Sequence, residues 1–461
     1  MPSPIVLINA VGLTPRLLKH APRLQAIANA GWASPLAEVV PAVTCTAQAT
    51  ILTGQPVDRH GVVANGWLFR DTCEVRFWQQ SNRLIQAEPL YVTAKQRADR
   101  RGAAFTSAKL FWWFNQGAAV DFSVTPKPWY GVDGNKAFDV SGTPELCAAL
   151  KAKLGPFPFP SFWGPMAGIA CTEWIARCAA ETLKLHRPDL TLVYLPHLDY
   201  EPQRRGPSGC EMAEHVKELD DAAAPLLDEA KKIGAQVWVV SEYGHCDVDT
   251  PVYLNRLLRT AGLLSVRHGP FGEQLDPFDS RAFAVVDHQL AHVYVKNPAD
   301  VSRVKDLLVG LPGVAEVFAG EERAEVELDH PRSGEIVALA EPNAWFAYPF
   351  WLDDARAPDY ARSVAIHNKP GFDPCELFFD PKFRVPKLRA ARRLLQKKLG
   401  FRTIFDLTPL DAKIVRGSHG LIATDPLDAA VLIGHGRRPS GERIPMTAVK
   451  ELVLGALGLP E

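Results

Sequence analysis

Three short apolar runs constrain the fold of this chain more than any other feature. Pro4 to Ile8 (PIVLI), Leu190 to Leu195 (LTLVYL) and Gln236 to Val240 (QVWVV) are rich in β-branched residues and show no alternation of polar and apolar positions. A strand of that kind is one whose two faces are both covered. Helical patterns separate the runs. One starts at Pro22 and stops near Gly31, a second covers about Cys171 to His186, and a long amphipathic one covers about Glu211 to Ile233. Thr250-Pro251 is expected to open a further helix, Thr as N-cap and Pro at the first helical position. Strands alternating with helices predict an α/β fold: a mainly parallel central sheet covered by helices on both faces.

Two regions break the rhythm. Residues 67–165 are rich in aromatics and prolines, including FWWFN at Phe111 to Asn115, and residues 284–346 read as a small strand–helix–strand unit. Both are expected to be insertions capping one continuous body of 461 residues, within which no repeat or flexible linker appears. A formal net charge of −1 provides no overall field favouring a nucleic acid polymer or an anionic membrane. The Ile5–Ile8 stretch is too short for a secretory signal, and no segment approaches the ~20 apolar residues of a membrane span. The eight cysteines form no CxxC pair or zinc-ribbon spacing. Scattered thiols without a signal suggest a reducing compartment, hence the cytoplasm.

In open α/β sheets, ligands collect where the strands end at their carboxyl side. Asn9 follows the first run, with the segment Pro41 to Gly54 (PAVTCTAQATILTG) soon after; His197 and Asp199 follow the second; Glu242, Tyr243, His245 and Asp247 follow the third. Any one of them has an ordinary role as turn former or cap, but together they deliver metal-type and acid–base groups to one edge. Thr44 precedes a short helical string stopped by Gly54. Its hydroxyl suits an N-cap, yet a helix N-terminus also binds anions, and a Thr hydroxyl there can attack phosphorus if a metal or base activates it. His288 and His292 are four apart, a ligand spacing if helical. The HVYV that begins at His292 reads as a strand, so both are expected to be structural.

The run Pro41 to Asn65, PAVTCTAQATILTGQPVDRHGVVAN, resembles the nucleophile segment of nucleotide pyrophosphatase/phosphodiesterases and phosphonoacetate hydrolases, within the alkaline phosphatase superfamily. The resemblance implies an alkaline phosphatase-like fold, Thr44 as nucleophile and Asn65 as the group that holds a phosphate oxygen. Asp199, SEYGH at Ser241 to His245, and GSHG at Gly417 to Gly420 follow in the family's order. The resemblance further implies metal ligation by Asp199 and His419 at one position and by Glu242 and Asn9 at another, and substrate binding by Lys109 in TSAKLFWWFN.

The departures concern the metals. Members of the family bind two ions, commonly zinc. Here Gln203 replaces the middle His of the first set, Glu242-Tyr243 replaces an Asp-His pair, and Asn9 or Val11 stands where the first-strand Asp belongs. One divalent ion (Zn, Mn or Mg) is therefore expected, with His197, His245 or His367 available as substitute ligands. The expected activity is metal-assisted hydrolysis of a phosphodiester, pyrophosphate or phosphate monoester of a phosphorylated small molecule. Two alternatives stay open: a non-catalytic binder of phosphate ligands, and a phosphoryl transferase with an acceptor other than water.

Overall fold

The three apolar runs become three neighbouring strands. In the computed structural model, which describes residues 3–132, 136–401 and 403–461, the strand Ile5–Ala10 pairs in parallel with Leu190–Leu195 on one side and Gln236–Val240 on the other. All residues of the first two are buried. They sit at the middle of the sheet, which explains why they do not alternate. Among the described residues the sheet has nine strands, in the order Ile444–Pro445, Trp32–Ala37, Val431–Gly434, Gln236–Val240, Ile5–Ala10, Leu190–Leu195, Ser107–Leu110, Phe122–Tyr130, Lys136–Gly142. Only Val431–Gly434 and Lys136–Gly142 run against the rest. Helices Pro22–Ala30, Ile169–His186 and Met212–Lys232 pack on one another, as do Thr44–Thr53, Leu90–Arg100 and Val449–Ala456, so that both faces are covered.

Three expectations are corrected. Residues 67–165 are not a cap insertion as a whole, because Ser107–Leu110 pairs with Leu190–Leu195 and the two strands beyond it complete the sheet. The sheet character is masked in the sequence: Ser107–Leu110 has four residues, and Pro126 and Pro128 lie in the next strand beyond its three residues paired to Ser107–Leu110. There the lost N–H donors leave that ladder intact. Second, Thr250-Pro251 does not open a helix; Thr250–Val252 is a strand parallel to Ala344–Phe346, and the helix begins at Leu254. Third, residues 284–346 hold more than a strand–helix–strand unit. A four-stranded antiparallel sheet, Ala282–Asp287, Leu290–Val295, Ile336–Ala340 and Val314–Ala319, carries the helix Val301–Leu308. His288 is at the hairpin turn and His292 in the second strand, bonded to the Val63 carbonyl at 3.1 Å. No described helix is long and apolar enough to cross a membrane, and all eight cysteines are free.

Candidate active site

The parallel strands deliver three loops to one edge. After Ala10 the chain turns at Gly12, whose φ of +73° favours glycine and where an added Cβ would crowd the His245 imidazole at 3.0 Å. After Leu195 a single turn, His197–Asp199, carries Asp199 to the edge. After Val240 the loop Ser241 to His245 is tied down from two sides. Ser241 Oγ donates to the Leu13 carbonyl at 2.6 Å, and the buried Glu38 carboxylate accepts from the Gly244 N–H at 3.3 Å.

Thr44 is the first residue of the helix Thr44–Thr53, which Gly54 ends in the left-handed conformation. The cap position belongs to Val43, which makes no side-chain cap bond, so the Thr44 hydroxyl is not an N-cap. It lies 3.0 Å from the Tyr243 hydroxyl, which donates to Asp199 Oδ1 at 3.2 Å. Tyr243 has one proton to donate, so with that proton on Asp199 the Thr44 O–H points at the Tyr243 oxygen. Asn65 joins the same helix end: its Oδ1 accepts the Cys45 N–H at 2.9 Å, and its Nδ2 donates to Asp287 Oδ1 at 3.1 Å.

Around Asp199 the structure gathers imidazoles. His245 Nε2 is 3.1 Å and His419 Nε2 3.7 Å from Asp199 Oδ1. Burial opposes ionisation of Asp199, but the His245 hydrogen bond and the neighbouring imidazoles outweigh it and hold the carboxyl at about 2. His419 bonds the Ala42 carbonyl through Nδ1 at 2.8 Å, which places its proton there and a lone pair on Nε2. That Nε2 is buried without a hydrogen-bond partner. Burial pushes the His419 pKa far down, keeping the ring neutral as a ligand must be. Tyr243 stacks on one side of the ring at 3.6 Å and His288 packs near it at 3.7 Å. One ligand atom each from Asp199, His245 and His419 lies within 4.8 Å of the others, a set that fits one divalent cation.

The second expected position is built differently. Asn9 Nδ2 and Gln48 Nε2 both donate to Glu242 Oε1, at 2.6 and 2.7 Å. Burial pushes the Glu242 carboxyl up to about 8, so it is largely neutral at pH 7. Asn9 Oδ1 and Glu242 Oε2 are buried without a hydrogen-bond partner, so this position offers oxygen donors only, a poorer set for zinc than the carboxylate and two imidazoles around Asp199. Glu242→Gln is accordingly expected to keep the protein's metal content and to move Tm by no more than about 4 °C. Loss of an ion on elemental analysis of that variant would place a metal at Glu242 after all.

Of the substitute ligands, His245 joins Asp199, whereas His197 pairs with Glu218 at 2.9 Å and His367 lies 3.3 Å from the Phe77 carbonyl. Gln203 is buried, with both amide atoms lacking a partner. Lys109 is not the substrate contact expected of it. It sits in the sheet strand Ser107–Leu110 with no exposed surface, donates to the Phe114 carbonyl at 2.8 Å and lies over the Tyr91 ring. Its Nζ, whose charging burial disfavours, braces the turn whose Trp113 N–H bonds Gln48 Oε1 at 2.8 Å. Lys109→Met should therefore leave KM within about threefold of wild type; a tenfold rise would restore a substrate role. Sequence reading missed Gln48, Asp287 and the packing of His288 on His419. Their polarity was visible, but their partners lie far away along the chain.

Residues 5–373 match the family model described as type I phosphodiesterase / nucleotide pyrophosphatase. The chain belongs to this family of phosphoester hydrolases. No curated protein matches it by sequence. Among solved structures, phosphonoacetate hydrolase from Sinorhizobium meliloti 1021 in complex with phosphonoacetate is similar, at 18% identity and a TM-score of 0.60, over 100% of this chain and 95% of that one. Murine ectonucleotide pyrophosphatase / phosphodiesterase 5 in complex with AMP is similar at 15% identity and a TM-score of 0.58, over 99% and 95%. The human counterpart is 14% identical at a TM-score of 0.60, over 99% and 95%.

Proposed function

We propose that this enzyme cleaves a phosphodiester, pyrophosphate or phosphate monoester of a small molecule with Thr44 as nucleophile and one divalent cation at Asp199, His245 and His419. The observation that carries the reading is the unbroken contact Thr44–Tyr243–Asp199, which joins the candidate nucleophile to the ligand set. When bound, the ion supplies Lewis-acid stabilisation of charge developing on the phosphoryl oxygens. Two imidazoles and a carboxylate favour zinc over magnesium.

The chain's own groups do the rest. Thr44 Oγ1 forms the bond to phosphorus; its proton passes to the Tyr243 oxygen as Tyr243 gives its own proton to Asp199 Oδ1, from which it is released to the departing group. The leaving group departs with the electron pair of its P–O bond, and water later releases the phosphoryl group from Thr44. Free N–H groups of the first helical turn, with Asn65 Nδ2, stabilise the phosphoryl oxygens. Asp287 orients Asn65 through two hydrogen bonds, at 2.7 Å from the Asn65 N–H and 3.1 Å from Nδ2. The reading is tested by turnover of bis(p-nitrophenyl) phosphate and p-nitrophenyl phosphate by zinc-loaded protein. Absence of turnover of both, together with tight binding of inorganic phosphate, would favour a non-catalytic binder instead.

A further inference from the structure

The helix Pro386–Lys398 wears its amphipathicity inside out. Leu388, Ala391, Leu395 and Leu399 share one face at 100° per residue. In a surface helix such a stripe normally turns to the core. Here the three leucines are 66, 57 and 65% exposed, and no residue of the helix is buried. The side turned to the protein carries arginines instead. Arg393 pairs with Asp406 at 3.0 Å, and Arg389 reaches the same carboxylate. The excursion is closed at its base by the Asp380 N–H on the Leu407 carbonyl, at 2.7 Å. Beside the leucine face lie Leu394 and, just past the helix, Phe401, both exposed.

Charge singles out what would cover this face. Residues 382–401 contain eight Lys and Arg and no Asp or Glu, in a chain whose totals nearly cancel at 51 against 52. A whole-chain charge of −1 conceals this segment. Two copies joined face to face would oppose eight cations to eight, which disfavours a homodimer. A nucleic acid would need the arginines outward and offers nothing to the leucines. An anionic bilayer matches both features: leucines enter the boundary of headgroup and acyl chain while flanking Lys387, Arg392 and Lys398 meet phosphates.

We propose that the Pro386–Lys398 helix is a docking surface for an anionic lipid bilayer, lying in the interface with Leu388, Leu395 and Leu399 inserted. The full chain is mixed with extruded vesicles of phosphatidylcholine alone, or with about 30% phosphatidylglycerol, and sedimented. Binding to the anionic vesicles should exceed binding to neutral ones at least about tenfold and fall in 0.5 M salt, where ~4 Å screening weakens the cation term. The triple variant Leu388→Glu, Leu395→Glu, Leu399→Glu should lose binding while keeping wild-type turnover of a soluble aryl phosphodiester, which also shows that it folds. Lys387→Glu with Lys398→Glu should weaken binding in the same direction. Equal binding to both vesicle types, or binding that survives the leucine variant, overturns the proposal. So does a wild-type dimer in light scattering that the leucine variant dissolves, or duplex DNA bound more tightly than the vesicles.

Discussion

Thr44→Ala is expected to lower kcat for an aryl phosphodiester by at least about 10³-fold while leaving the protein folded. The structure sharpens this expectation by removing the competing explanation. A Thr at the cap position would stabilise the helix by about 1 kcal/mol, and its loss would confuse stability with catalysis. Val43 occupies that position, and the Thr44 hydroxyl has its bond to Tyr243 instead. Thr44→Ala should then move Tm by only a few degrees, whereas Thr44→Ser, which keeps the hydroxyl, should recover much of the rate. Near wild-type kcat in Thr44→Ala, with a substrate the native enzyme turns over well, would remove Thr44 from the mechanism. The fold assignment would stand regardless.

The second large effect concerns the metal. Native protein is expected to hold one tightly bound divalent ion per chain, and His419→Ala or Asp199→Ala to lose it, with affinity falling by more than ~10²-fold. Activity should fall with it and return only in part at high added zinc. The reason lies in the geometry. His419 Nε2 is a buried lone pair without a partner, facing a carboxylate held ionised. Two zinc ions per native chain on elemental analysis would contradict the one-ion reading. Unchanged metal content in both variants would place the ion elsewhere, with the cluster His197, His215 and Glu218 as the next set to examine.

The parts of this protein legible in sequence are those encoded locally. An unalternating run such as LTLVYL must be covered on both faces, so the central strands and their parallel order with the intervening helices could be read residue by residue. The string from Thr44 to Asn65 could be read as well, because a helix start, a glycine stop and the next turn all lie within 22 residues. Hydrogen bonds over such short separations follow from the chain's own geometry: Asn65 reaches the Cys45 N–H just 20 residues away. Asp199 and His419 were visible as candidates because each follows a recognisable landmark.

What only the tertiary structure decided is whatever depends on residues far apart in sequence meeting at one edge. Tyr243 reads as a lost ligand, yet folding sets its hydroxyl between Thr44 and Asp199, at separations of 199 and 44 residues. Glu242 reads as an anion, but enclosure with Asn9 and Gln48 makes it a mostly neutral acid, since burial disfavours charge more than two amide donors restore it. Lys109 is expected to bind substrate from the resemblance of its segment, and the sheet encloses it. The leucines of Pro386–Lys398 repeat at the spacing of a core-facing stripe, yet the structure leaves them exposed while Arg389 and Arg393 pair with Asp406. Periodicity records that a face is apolar; which way it points is decided only when the chain folds.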